Sequence, residues 1–112
     1  MPSDAEMTDY AKHLPRIYAD IIGAFPGIEP GRKAGYGLAF QTLAVHFANT
    51  RRGYSLSEVQ RACMKLADEG FFEIKNGIFA HPTDLGEQLI ATVTGQPPAS
   101  NLILPQLPVR TW

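Results

Sequence analysis

Four polar side chains between Ser55 and Glu69 have the types and the spacing for a contact with nucleic acid. Ser57, Gln60 and Arg61, with Lys65 one turn further on, would lie on one side of an α-helix. A hydroxyl and an amide can hydrogen-bond to base edges, and the two cations can contact base edges or phosphates. The pattern therefore predicts a helix with one polar, mostly cationic face.

Three further cations flank this segment and could contact the nucleic-acid backbone. Arg51 and Arg52 stand immediately before it, and Lys75 occupies the tip of a predicted hairpin after it. The stretch GRKAGYG at 31–37 lacks the strand and the spacing of known phosphate-binding glycine loops. We therefore do not expect a phosphate-binding glycine loop there, and a flexible basic loop that touches phosphate is the alternative interpretation of that stretch.

The side chains that usually carry catalysis or metal binding show no grouping in the sequence. His13, His46 and His81 are far apart, and one cysteine alone makes no zinc motif. Cys63 falls on the predicted apolar side of its helix, where a structural thiol is expected rather than a nucleophile. We therefore expect no enzyme, no metal and no cofactor.

The bulk composition predicts one domain over residues 1–112 in a reducing compartment. No apolar run approaches the length of a membrane span, the N-terminus is polar, and a single cysteine precludes an internal disulfide. We expect a cytoplasmic protein without a membrane partner. The net charge is −1, but residues 32–75 hold seven Lys or Arg against four Asp or Glu. This asymmetry fits a cationic contact surface, and an ordinary mixed surface remains the alternative.

The segment 8–31 is expected to hold helices followed by a loop. Residues 1–7 are predicted to fray, a turn or short helix follows at 8–14, and a main helix covers 15–25. Its apolar stripe consists of Ile17, Ile21 and Phe25. The stretch FPGIEPG at 25–31 is predicted to be a loop because it holds two prolines and two glycines.

A core of two helices is expected within residues 34–95. The first helix covers 34–49, with a buried face of Tyr36, Phe40, Leu43, Ala44 and Phe47. The second opens with Ser55-x-x-Glu58, the pattern of a capping box, and ends at Gly70. Its apolar side contains Leu56, Val59, Ala62, Cys63 and Leu66.

A β-hairpin with Asn76-Gly77 at its turn is predicted next, because this dipeptide accepts the positive φ angles of a type I′ turn. A two-residue turn would place Ile74 opposite Phe79 and Phe72 opposite His81. These four side chains would then share the core face, and Glu73, Lys75, Ile78 and Ala80 would share the other.

Thr83 or Asp84 is expected to cap a last helix, which ends near Gly95. The tail, 96–112, contains prolines that prevent a long helix, together with the apolar residues Leu104, Leu107 and Trp112. An extended strap packed on its own domain is one interpretation of the tail, and a docking segment for a second subunit or another protein is the other.

The order helix, helix, capped helix, hairpin, helix from about 38 to 95 resembles MarR-type and related bacterial winged helix-turn-helix regulators. The resemblance rests on SLSEVQRACMKLADEGFFEI at 55–74 and on the Thr83-x-x-Gly86 opening of the last helix. It implies a mainly α fold with a small β-hairpin, in which the helix 55–69 enters the major groove of DNA.

Two functions follow from this resemblance. In the first, a small transcriptional regulator binds double-stranded DNA, and Ile17, Ile21, Phe25 and the tail are the candidate contacts of a homodimer. Packing of these side chains on their own core is the alternative. In the second, the winged helix is a protein-interaction adaptor that does not bind DNA. The low net charge, the short hairpin and Asp68 on the polar helix face favour the second function.

Overall fold

The computed structural model describes residues 4–29 and 31–95, and the tail prediction therefore lies outside the described residues. The helices are α1 (Asp4–Lys12), α2 (Arg16–Ile28), α3 (Phe40–Asn49), α4 (Leu56–Asp68) and α5 (Asp84–Thr94). The strands are β1 (Leu38–Ala39), β2 (Phe72–Lys75) and β3 (Phe79–Pro82), which form one antiparallel sheet in the order β1-β3-β2. The prediction of a mainly helical chain with a small β-hairpin is confirmed, and β1 is an additional strand.

The N-terminal half differs from the prediction in two places. Helix α1 begins at Asp4, and Met7 is only 2% exposed, so the expected fraying is wrong for residues 4–7. Helix α2 continues through Pro26 to Ile28, where a loop was predicted. Phe25 is fully buried and Ile28 packs against the core, so burial of these side chains offsets the cost of a proline inside the helix.

The segment 34–39 is not the start of a helix, because Gly35 adopts φ +80 and Leu38–Ala39 pairs with β3. Tyr36 is consequently 46% exposed instead of buried. Helix α3 starts at Phe40, whose N–H donates to the carbonyl of Ile78 at 2.9 Å. Its buried side chains are Phe40, Leu43 and Phe47, as the spacing predicts.

Helix α4 agrees closely with the sequence. Both bonds of the capping box between Ser55 and Glu58 are present at 3.1 and 3.0 Å, and Gly70 follows the helix at φ +91. The side chains of Val59, Ala62, Cys63 and Leu66 are buried in the core. Leu56 is 47% exposed, contrary to the prediction, because it is the first helical residue and precedes the turn that packs on the core.

The hairpin has the predicted turn residues but a different register. Asn76 and Gly77 have φ +56 and +70, and Ile78 joins them as a third loop residue. Lys75 therefore pairs with Phe79 and Ile74 with Ala80.

A shift of one residue moves the side chains of β3 to the opposite face of the sheet. Ala80 is fully buried beside Phe72 and Ile74, and Phe79 and His81 lie on the other face. The prediction that Phe79 and His81 share the core face is therefore wrong.

Thr83, rather than Asp84, caps α5, since its hydroxyl accepts from the Gly86 N–H at 3.1 Å. The helix ends at Gly95 in a left-handed conformation, as predicted. None of the helices in the described part of the chain combines the length and the apolar character needed to cross a bilayer.

Candidate nucleic-acid interface

The exposed face of α4 brings together the polar side chains that the sequence singled out. Ser57, Gln60, Arg61 and Lys65 are all exposed, and the opposite side of the helix is anchored in the core by Val59, Ala62, Cys63 and Leu66. Among residues 4–29 and 31–95, no acid forms a salt bridge with Arg61 or Lys65. The two cations are thus available to an external anion.

The middle of this face is not cationic, as the predicted position of Asp68 on it already indicates. Met64, 44% exposed, and the exposed Asp68 lie between the sides of the helix that carry Gln60 and Lys65. Glu58, in the first turn, has its pKa lowered by hydrogen bonds from the backbone and the hydroxyl of Ser55. Its carboxylate therefore stays ionised one turn before Arg61.

Arg61 is positioned next to the start of α2. It lines an open groove of about 200 Å³ together with Ile17, Tyr18, Glu58 and Ala62. Arg61 thus borders the groove between α4 and α2. This placement extends the candidate surface from α4 onto α2.

The connector before α4 carries Arg51 and Arg52 in different environments. Arg51 is exposed and adopts φ +60, a conformation uncommon for a residue other than glycine. The Nε atom of Arg52 lies 3.4 Å from Oδ2 of Asp20, and the Nε atom of Arg16 lies 3.8 Å from the same oxygen. Tyr54 donates to that oxygen at 2.8 Å.

Lys75 is exposed at the end of β2, where the sequence places it, but its ammonium lies 3.7 Å from the carboxylate of Glu73. Both side chains are more than half exposed, and such pairs contribute little to stability. The hairpin therefore offers one cation that is already partly neutralised.

The residues predicted to form a dimer contact lie in different environments. Ile21 and Phe25 are fully enclosed by their own chain and have no surface to offer a second subunit. For these two residues, packing in their own core is the correct interpretation and the prediction of a dimer contact is wrong. Ile17 is half-buried at the groove beside Arg61, and Leu104, Leu107 and Trp112 lie outside the described residues.

The loop at 31–37 is a tethered structure and not a flexible phosphate-binding loop. Arg32 makes two hydrogen bonds to Glu87, at 2.6 and 2.8 Å, and its guanidinium carbon lies 5.5 Å from the ring centre of Phe25. The Gly35 N–H donates to Glu87 at 2.8 Å, and Nδ1 of His81 lies 3.0 Å from the Gly35 carbonyl oxygen. Arg32 is thereby removed from the set of cations that an anion could reach.

The sequence interpretation missed Arg16 and Asp20, the two residues of α2 that lie beside Arg52. Their separation of four residues is a detectable signal, since it places two opposite charges on neighbouring turns of a helix. The contact of Asp20 with Arg52 joins residues distant in the sequence, and no local pattern indicates it. The buried pair of Arg32 and Glu87 was missed for the same reason.

The side chains considered for catalysis remain dispersed. Cys63 is completely buried, and burial raises the pKa of its thiol to about 12. Among the described residues no three His, Cys, Asp or Glu side chains are grouped so that they could hold a metal ion. Comparisons of the chain with protein-family models, with curated proteins and with solved structures found no match.

Proposed function

We propose that this chain is a winged-helix protein that binds double-stranded DNA by placing α4 in the major groove. The observation that carries the proposal is the exposed position of Arg61 and Lys65, neither of them in a salt bridge with a described residue, on a helix fixed to the core. Ser57 and Gln60 on the same helix would contact base edges, and Arg51 would contact a phosphate.

The arrangement of the elements supports this proposal. Helices α3 and α4 are joined by the connector 50–55, β2 and β3 follow as a hairpin, and β1 pairs with β3. This element order is compatible with that of a winged helix-turn-helix domain, in which the second helix of the pair would enter the groove. A single module of this size would bury roughly 600–1,000 Å² on DNA, so a homodimer is part of the proposal.

The test is the binding of a random-sequence duplex at several salt concentrations. Arg61→Ala combined with Lys65→Ala should weaken binding, and the slope of log affinity against log salt should fall by about 0.9 for each phosphate that the variant no longer neutralises. Lys12→Ala combined with Lys33→Ala removes the same charge from exposed sites elsewhere and should have a much smaller effect. An equal decrease in this control would mean that net charge alone governs binding, which contradicts the assignment to α4.

A protein-interaction function is the second candidate. The exposed Leu56 and Met64 on α4, and the salt bridges that occupy Arg52 and Lys75, favour it. The absence of salt-dependent binding of wild-type protein to duplex DNA at low ionic strength would reject the first function in favour of this one.

A further inference from the structure

The carboxylate of Asp20 is the common partner of three side chains from two parts of the chain. Its Oδ2 atom contacts Arg16 at the first position of α2, and both Arg52 and Tyr54 in the connector before α4. The Asp20 side chain is only 18% exposed, whereas those of Arg16 and Arg52 are 81% and 41% exposed. The carboxylate thus lies beneath two cations that face solvent.

We propose that Arg16 and Arg52 form one phosphate-binding pair at the edge of the α4 surface, and that Asp20 competes with phosphate for this pair. The proposal rests on the DNA-binding function proposed above and adds a contact and a control of affinity to it. Arg16 belongs to the interface through its structural position alone, because it lies far from α4 in sequence.

Geometry supports the pairing of the two arginines. Both Nε atoms contact the same oxygen atom, so the two guanidinium groups are neighbours and one phosphate could contact both. Arg52 lies in the connector that leads directly into α4, three residues before the capping residue Ser55. The pair therefore lies near the N-terminal end of α4.

The charge balance explains why Asp20 would act as a competitor. A carboxylate next to two guanidinium groups neutralises one of their two charges. A phosphate that approaches must draw Arg52 away from Asp20 or bind a pair of reduced charge. The Tyr54 hydroxyl donates to the same carboxylate without changing its charge, and the Tyr54 ring lies edge-on to Phe47 with ring centres 5.2 Å apart.

The experiment measures the affinity of the full chain for a random duplex of about 20 base pairs, about two helical turns of DNA, at several salt concentrations. Asp20→Asn should raise affinity by about fivefold, the effect of one charge pair at about 4 Å in water. Arg16→Ala should lower affinity and reduce the salt slope by about 0.9. Tyr54→Phe is the matched control, since it removes the hydrogen bond to Asp20 and keeps both the charge and the ring, and it should leave affinity within about twofold.

Three results would overturn the proposal. A decrease of affinity in Asp20→Asn would mean that the carboxylate positions Arg52 and does not compete with phosphate. An equal increase in Tyr54→Phe would mean that the effect does not come from charge. Unchanged binding in Arg16→Ala, while Arg61→Ala with Lys65→Ala weakens binding, would reject this proposal and leave the DNA-binding function intact. If the wild-type chain does not bind DNA at all, the proposed function itself fails. Circular dichroism of each variant establishes that it is folded.

Discussion

The guanidinium of Arg32 and the carboxylate of Glu87 form a two-bond ion pair with side chains only 6% and 3% exposed. The pair joins the loop after α2 to the first turn of α5. Glu87 also accepts the N–H of Gly35, so one carboxylate fixes both ends of the turn that leads into β1. Since β1 leads directly into α3, this ion pair helps to set the position of the helix that precedes α4.

Removal of one partner of this pair should destabilise the protein strongly. Arg32→Ala should lower the free energy of unfolding by about 3–5 kcal/mol, because it leaves the buried Glu87 carboxylate without a counter-ion. Denaturant unfolding measures the change. Arg32→Met combined with Glu87→Leu should recover part of this stability, since no unpaired charge remains. A double variant less stable than Arg32→Ala would contradict this account.

The same substitution at Gly86 and at Gly23 tests whether each position has room for a Cβ atom. A Cβ atom at Gly86 would lie 2.0 Å from the Phe71 carbonyl oxygen, whereas one at Gly23 would have no atom within 4 Å. Gly86→Ala should therefore cost about 1–3 kcal/mol or more. Gly23→Ala, inside α2, should stabilise the protein by about 0.5–1 kcal/mol. Thermal melts of both variants test this difference, and a stable Gly86→Ala variant would mean that α5 does not approach Phe71 so closely.

The predictable part of the fold is the part that local chemistry determines. The capping box of Ser55, the left-handed Gly70 and the apolar spacing of α4 from Val59 to Leu66 depend on residues within a few turns of one another, and all were predicted correctly. The exposure of Ser57, Gln60, Arg61 and Lys65 follows from the same spacing.

The errors occur where distant residues decide the structure. The hairpin register expected from the turn residues does not account for the Phe40 N–H. This group donates to the carbonyl of Ile78, the third residue of the loop. Glu87 has the sequence character of a surface residue in the first turn of a helix, and its bonds with the distant Arg32 and Gly35 explain its burial. The contact between Asp20 and Arg52 likewise arises from the packing of α2 against the connector. The spacing of apolar residues in the sequence does not indicate this packing.

The orientation of α4 can be checked with Leu66 and Met64, which are two residues apart on opposite sides of the helix. Leu66 is 1% exposed and Met64 is 44% exposed. Leu66→Ala should destabilise by about 2–5 kcal/mol, because it leaves a cavity in the core. Met64→Ala should change stability by less than about 0.5 kcal/mol. Similar decreases in both variants, measured by urea unfolding, would mean that the helix is rotated differently.

The hairpin turn should be sensitive to the side chain at Gly77 for a conformational reason alone. Its φ is +70, and a Cβ atom there would have no neighbour within 4 Å. Gly77→Val should therefore cost about 1–2 kcal/mol, since a β-branched residue resists this left-handed conformation. Gly77→Asn should cost less, because asparagine adopts it more readily. Equal stability of the valine and asparagine variants in thermal melts would contradict a left-handed conformation at this position.

Cys63 should be unreactive in the folded protein. The thiol is completely buried, and burial raises its pKa from 9.0 to about 12, so almost no thiolate forms near neutral pH. A disulfide reagent at mildly alkaline pH should modify the denatured chain rapidly and the native chain only at the rate of unfolding.

Alkaline pH should weaken the fold through the same thiol. A pKa raised on folding means that the unfolded chain loses its proton first. The stability contributed by the neutral thiol is therefore present below pH 9.0 and declines as the pH rises from 9.0 towards about 12. Cys63→Ala removes this titration, although it also leaves a small cavity. The pKa of Tyr10 is likewise raised to about 12, and Tyr10 continues to contribute to the pH dependence of stability in the variant. The variant should thus show a shallower decline of unfolding free energy above pH 9.0 than the wild type. Identical slopes in the two proteins, or rapid modification of the native thiol, would show that Cys63 is accessible to solvent.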